Sequence, residues 1–307
     1  MAAEQTRTYA AAHFGLEFGN KEPMGLFRSI EGGGVKADVM TYQYGHGYDR
    51  WRLLGKPKFE DIKLQVGMAM SSPFYDWIEK FFRGEEDRRD GAIVAMDFYY
   101  NERARREFTQ GLIKELTFPK LDAQDKNAVY MSLGVAVEHM EFKPGGGQKV
   151  VMPKGMTEQK MWNACNFTFS LDGFDQSAWK RVTKIDSFTI KQNVMEYHTG
   201  QFRYPIKVGS QVEFPNITFY VPESDAGPFF ERVTQNAIKG GQQSPTQEKA
   251  GELRCFDNGG QQLFRLEFFD ADIVSVTPDK SDANSEEIKQ VKVELVTESM
   301  KFFYGSK

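Results

Sequence analysis

The sequence predicts a mainly β protein: two tandem antiparallel β-sandwich or barrel domains, each with one packed α-helix. Three observations carry that expectation: an internal repeat, a hydrophobic period of two through most of the chain, and one amphipathic helical stretch per repeat. With 307 residues, 40% hydrophobic and 27% charged, and 26 Phe, the chain is long enough for two cores and too apolar for disorder.

The repeat opens with Val39-Met40-Thr41-Tyr42-Gln43-Tyr44-Gly45, which returns 155 positions later as Val194-Met195-Glu196-Tyr197-His198-Thr199-Gly200. The same shift carries Phe59, Ile62 and Val66 onto Phe214, Ile217 and Val221, and Pro73-Phe74 onto Pro228-Phe229. Further along the shift becomes 160, pairing Glu107-Phe108 with Glu267-Phe268, Ile113 with Ile273, and Met140 and Phe142 with Met300 and Phe302. The five extra residues fit the polar stretch Gly240 to Gln247. Domain boundaries follow at 1–143 and 157–307. Between them, residues 144–156 hold Pro144, Gly145, Gly146, Gly147, Pro153 and Gly155, the composition of a flexible connector.

Each unit reads as strands. Val129 to Val137 is apolar at every odd position, and Val291, Val293 and Leu295 keep that face in the second unit. Residues 62–66 and 217–221 are a second pair of strands, and 35–42 and 190–197 a third. The rhythm breaks once per unit. Ser71 and Pro73 form a helix start, Phe74, Trp77, Ile78 and Phe81 follow at helical spacing, and Gly84 ends the stretch. In the second unit Trp77 and Phe81 become Arg232 and Asn236. The stripe there must use Phe229, Phe230, Val233 and Ala237, so its helix is expected to pack less deeply.

No residue pattern demands a cofactor, a metal or a catalytic role. Cys165 and Cys255 are too few for a disulfide framework and read as structural thiols, while His13, His46, His139 and His198 lack metal-ligand spacing. Gly32-Gly33-Gly34 leads into a strand and not a helix, so it reads as a turn and not a phosphate loop; Gly259-Gly260 reads as a hairpin turn. The repeated acids Glu107 and Glu267 read as strand residues in salt bridges, and Glu85-Glu86-Asp87 and Glu286-Glu287 as solvated runs. The net charge of -4 disfavours a phosphate-gripping basic face. No apolar run is long enough for a membrane span, and the opening Met1 to Thr8 lacks the pattern of an export signal.

The assembled pattern resembles the tail tube protein family of contractile-tailed bacteriophages and phage-like contractile injection systems, in two tandem copies. In the first unit it rests on Phe14 to Phe18, Gly34 to Val39, Tyr42 to Gly45, Leu54 to Phe59, Ile62 to Met68, the helix around Phe74, Trp77 and Ile78, Asp90 to Val94, Arg106 to Phe108, and Val137 to Glu141. In the second it keeps Phe167 to Phe169, Tyr197, Gly200, Phe214 to Val221 and Met300 to Phe302, with Tyr204 to Gly209 replacing a family loop. The resemblance implies a structural virion protein that is not an enzyme. Its rings, hexameric or pseudo-hexameric, would stack into a tube that lets DNA or protein cargo pass without specific binding. Sheath and baseplate proteins are the implied partners, and the place is a phage tail or injection particle assembled in the bacterial cytoplasm.

It further implies that the loop from Tyr44 to Lys58 makes the ring-stacking or inter-subunit contact, with Tyr44, Tyr48, Trp51, Leu53, Leu54 and Lys58 as its residues. The competing reading is that these side chains close the sheet edge of their own domain. Two other functions stay open: a trimeric baseplate hub or tube initiator with pseudo-sixfold symmetry, and a duplicated β-sandwich that binds carbohydrate.

Overall fold

The computed structural model describes residues 13–19, 21–45, 50–151, 162–201, 203–239, 251–279 and 288–305. The stretch Gly240 to Gln247, and Pro153 and Gly155, lie outside them. The first half contains β1 (His13–Phe18), β2 (Glu22–Gly32), β3 (Val35–Gln43), β4 (Arg50–Phe59), β5 (Ile62–Val66), α1 (Ser72–Phe82), β6 (Arg89–Met96), β7 (Glu102–Phe118), β8 (Leu121–Asp122), β9 (Met131–Ala136) and β10 (His139–Pro144). The second contains β11 (Trp162–Leu171), the single turn α2 (Gln176–Trp179), β12 (Lys184–Ile185), β13 (Phe188–Tyr197), β14 (Ile206–Glu213), β15 (Ile217–Pro222), α3 (Gly227–Val233), β16 (Gly251–Asp257), β17 (Gln262–Phe269), β18 (Asp272–Pro278), β19 (Gln290–Val296) and β20 (Ser299–Tyr304).

Every strand pairing is antiparallel. In the first half β7-β6-β1-β2-β5-β9 runs in that order, and β9 returns to pair with β7, closing a barrel. Alternation places the core: Ile62, Leu64 and Val66 of β5 are buried between exposed Lys63 and Gln65.

The repeat is present in the ladders residue for residue. β6 meets β7 with Gly91 opposite Phe108, and β16 meets β17 with Gly251 opposite Phe268. β5 meets β9 with Ile62 opposite Val135, and β15 meets β19 with Ile217 opposite Leu295. Even the left-handed residue that ends the first part of β7, Gln110 at φ 54°, has its counterpart in Asp270 at φ 49°. β7 runs on through that kink, whereas the second half splits there into β17 and β18. At Gly91 and Gly251 a side chain has no room. A Cβ would lie 2.5 Å from the Glu17 carbonyl oxygen at one and 2.4 Å from that of Ser170 at the other.

The helices diverge for a legible reason. In α1, Phe74, Trp77, Ile78 and Phe81 are buried. The expected hydroxyl cap is not made; Ser71 Oγ instead donates to Met24 Sδ at 3.1 Å. In α3 only Phe229 is buried, and Phe230 is 39% exposed. The apolar group Trp77, Phe81 and Leu112 is replaced at equivalent positions by a polar one: Arg232 Nε and Asn236 Nδ2 donate to Asp272 at 3.3 and 2.8 Å. The shallower packing of the second helix follows from that exchange.

The halves are not beads on a string. β13 pairs with the end of β7, with Phe188 opposite Phe118 and Ile190 opposite Leu116, so one sheet runs through both. α1 packs on β20, where the Tyr75 and Tyr304 rings stack and Phe82 lies 5.7 Å from Phe302. The flexible connector expected at 144–156 is, over its described part, tied down. Gly145 and Gly147 N–H donate to the carbonyls of Arg103 and Glu102, and Val150 N–H to that of Tyr100. Its glycines let the backbone lie against β7: a Cβ on Gly145 would meet the Arg103 carbonyl carbon at 2.5 Å.

Two polar features invite tests. Arg105 Nη1 donates to Glu17 Oε2 at 2.7 Å with both side chains buried. Burial pushes the Glu17 carboxyl up and Arg105 only partly offsets it. Arg105→Met therefore strands a buried carboxylate and is expected to cost about 3–5 kcal/mol, most of it regained on adding Glu17→Leu, as read in urea melts. The turn after β6 is held by Asp97, whose Oδ1 accepts from Tyr99 and Asn101 N–H at 2.9 and 3.0 Å and whose Oδ2 accepts from Arg103 at 2.7 Å. These bonds, that of the Asn101 backbone foremost, hold the Asp97 pKa down at about 2. A carboxyl depressed on folding stabilises above its unfolded pKa of about 3.9 and loses that contribution as pH falls toward its folded value. The melting-temperature gap between the native chain and Asp97→Asn is expected to be full at pH 5 and to close toward pH 2.

Candidate inter-subunit interface

β3 and β4 form a two-stranded sheet of their own, and every residue of β3 is exposed. The segment expected as a loop from Tyr44 to Lys58 is for the most part strand β4. Tyr42 stands opposite Trp51, Met40 opposite Leu53 and Val39 opposite Leu54, and such β-branched, aliphatic and aromatic cross-strand pairs favour a ladder over a coil. Gly45, at φ 71°, starts the turn. Tyr48 and His46 lie outside the described residues.

Side-chain alternation gives the hairpin two faces. Met40, Tyr42, Leu53 and Trp51 share one, extended by Tyr44, which receives a hydrogen bond from Trp51 Nε1 at 3.1 Å and meets its ring edge-on at 5.6 Å. Trp51 is 60% exposed. Val39, Thr41, Arg52 and Leu54 share the other face, and Leu54 is 69% exposed. Lys58 pairs with Asp38 at 3.2 Å, and Lys36 with Glu60, whose carboxyl that contact holds below its usual range. Of the six candidates, Tyr44, Trp51 and Leu53 thus come together, Leu54 points to the opposite side, and Lys58 sits near the base in an ion pair. None of the described five covers the core of its own domain.

The second hairpin, β13 with β14, repeats the ladder, with Met195 opposite Val208 and Tyr197 opposite Ile206. Here one face is covered, because it lies on the first half. Gln192, Val212 and Lys207 are buried. Lys207 Nζ reaches Asp61 at 3.1 Å, its N–H donates to Glu138 Oε1 at 2.9 Å, and its carbonyl accepts from Arg88, which also pairs with Glu138 at 2.6 Å. Burial raises the Asp61 pKa, but Lys114 and Lys207 outweigh it and hold the carboxyl low. Met195 and Tyr197, on the opposite face, stay exposed. The face that carries Tyr42 and Trp51 in the first hairpin is therefore the one that keeps exposed residues, Met195 and Tyr197, when a neighbouring unit is in place, although Ile206 and Val208 beside them are half-buried.

Residues outside this surface have local partners. Glu107 accepts from Lys143 at 2.6 Å, which lowers its pKa, and Glu267 pairs with Arg265 at 3.2 Å. Burial pushes the Cys255 thiol up; Cys165 is partly exposed. His13 stacks on Tyr100 at 4.3 Å, His139 sits between Phe59 and Tyr204, and His198 lies 3.7 Å from Glu196. Among the described residues no three His, Cys, Asp or Glu side chains gather as a metal site, and no helix is long and apolar enough to cross a membrane.

Residues 10–156 match the family model described as T4-like virus tail tube protein gp19. Among solved structures, a chain of the PVC sheath-tube complex of an extracellular contractile injection system in its extended state is 16% identical, with a TM-score of 0.40 over 46% of this chain and 94% of that one. The tube-terminating cap of the anti-feeding prophage is 17% identical, with a TM-score of 0.41 over 47% of this chain and 100% of its own. Hcp1 from Salmonella typhimurium is 15% identical, with a TM-score of 0.28 over 45% of this chain and 85% of its own. No curated protein matches the chain. Over residues 10–156, just under half of its length, the chain is thus similar to the T4-like virus tail tube protein gp19 family.

Proposed function

We propose that the chain is a structural subunit of the tube of a contractile phage tail or injection system, and that the Met40, Tyr42, Tyr44, Leu53 and Trp51 face of its first hairpin stacks one ring on the next. A single observation carries the stacking assignment: a contiguous, exposed aromatic and aliphatic face on a unit similar to the tail tube family, which keeps exposed residues at the equivalent hairpin even where a neighbour is packed. Exposed apolar surface of that kind marks an interface. The role asks for shape and self-association and uses no catalytic group. Sheath and baseplate proteins are the expected outer partners, and the lumen passes DNA or protein without gripping it, in keeping with a chain of net charge -4.

Replacing Trp51 and Leu53 by Ser tests the assignment. Both side chains are exposed, so the fold is expected to lose less than about 1 kcal/mol in denaturant melts. Negative-stain electron microscopy at raised concentration should show stacked tubes for the native chain and unstacked rings for the double variant. Native tubes of unchanged length in the variant would remove the hairpin from the stacking contact. A native chain that stays monomeric at all concentrations and binds a sugar resin would replace the tube by a carbohydrate-binding module.

A further inference from the structure

The duplication supplies a template for a contact that one chain cannot make alone. Inside the chain the end of β7 pairs with the start of β13, with Leu116 opposite Ile190 and Glu115 opposite Lys191. The repeat maps the end of β7 onto β18 and the start of β13 onto the start of β3. Among the described residues β18 pairs only with β19, and β3 only with β4, so each presents an edge with no described strand on it where its counterpart is paired. By the same mapping Leu116 and Ile190 become Val276 and Val35, and Val35 is 53% exposed.

Two further contacts between the halves leave the same signature. Tyr75 of α1 packs near Phe302 of β20, with ring centroids 6.5 Å apart. Their counterparts are Phe230 of α3 and Phe142 of β10, and Phe142 is 53% exposed. Lys207 is buried and its backbone N–H donates to Glu138; the counterparts of Lys207 and Glu138 are Arg52 and Glu298, both exposed and of opposite charge. In all three cases the repeat moves the first-half member of the contact into the second half and the second-half member into the first, as a contact with a following copy requires.

We propose that the chain binds a second copy of itself side by side and head to tail, by adding the outer edge of its β18 to the outer edge of β3 of the next copy, in the register that β7 makes with β13. Phe230 then covers Phe142, and Glu298 receives Arg52 of the next copy. The occupant is a second copy because the chain already contains that strand edge seated in the equivalent place. The contact is heterologous, so it closes into a ring or runs on as an open helix according to its rotation, and pairing both edges removes the exposed strands that drive uncontrolled aggregation. The proposal deepens the tube reading and rests on it for ring closure: with the two units as neighbours in one ring, six positions take three chains.

Disulfide trapping in a Cys165→Ser background tests it. Oxidising a mixture of Val35→Cys and Val276→Cys chains is expected to give a covalent dimer that neither variant gives alone, and Val274→Cys, off register, should not replace Val276→Cys. A chain with both Val35→Cys and Val276→Cys should give a ladder ending at a closed product of three chains. Because a cysteine variant can fold poorly, a charge swap provides a second reading. Arg52→Glu should cut ring yield by about tenfold, and adding Glu298→Arg should restore it. Native rings or tubes in micrographs without trapping and without charge rescue overturn the edge pairing and leave the tube reading standing. Trapped dimers that never stack support the edge pairing while the tube reading falls. A monomer throughout, with no trapping, overturns both.

Discussion

An antiparallel sheet that does not close on itself ends in backbone N–H and C=O groups that need partners, and the architecture of this chain is governed by where those edges go. The first half solves part of the problem by closing β7-β6-β1-β2-β5-β9 into a barrel. The end of β7 projects past that closure and is met by β13 from the second half. Among the described residues no strand meets the outer edge of β18 or the outer edge of β3. The same constraint that is satisfied within the chain is therefore posed again at both of its ends, with complementary edges.

Burial follows from this bookkeeping of edges. Ile190, Gln192, Lys207 and Val212 are buried on the second hairpin because a unit lies under them, and their counterparts Val35, Ala37, Arg52 and Pro57 are not because none does. Charge follows too. A buried lysine ammonium is stable only with a charged partner fixed beside it, here Asp61, whereas the exposed counterpart is an arginine, whose always-charged planar fork suits a contact formed from solvent. The replacement of Trp77, Phe81 and Leu112 by Arg232, Asn236 and Asp272 fits the same logic: three positions that exchange together keep their mutual contacts satisfied, while any one exchanged singly would leave a buried polar group without a partner.

Much of this was legible in the sequence because the repeat is a pattern of spacing, and spacing survives divergence. The paired blocks at Val39 and Val194, and at Phe108 and Phe268, already contain the register that the ladders show. Period two marked the strands, and the Pro-initiated stripe marked both helices with their unequal depth. Four things were not legible. Ser71 has the residue type of a cap, but a neighbouring sulfur competes for its hydroxyl. The glycine-rich stretch after β10 has a linker's composition, but the lack of side chains also lets backbone lie on backbone, and composition does not distinguish the two uses. The loop from Tyr44 to Lys58 was implied by the family resemblance, yet the cross-strand pairs within that stretch decide its structure. Arg52, Phe142, Phe230 and Glu298 were missed as interface candidates because each is unremarkable alone; only comparison with a buried counterpart gives them meaning.

Joining two units in one chain alters the energetics of a ring as well as its count. Each association of free subunits costs translational and rotational freedom, and a tethered pair makes that contact within the molecule, at high effective concentration. In a ring built from such chains every second lateral contact is formed on folding, so only the alternate ones depend on concentration. The alternate contacts are also free to differ from the internal ones. The turns after β6 and β16 share one hydrogen-bonded frame, Asp97 to Tyr99 and Asn101 in the first and Asp257 to Gly259 and Gln261 in the second. Yet the first displays Phe98 and Tyr99, both strongly exposed, where the second has Asn258 and Gly259. One backbone device thus carries two different surfaces in alternation, which a ring of identical single units cannot do, and this gives the duplication a use beyond economy of assembly.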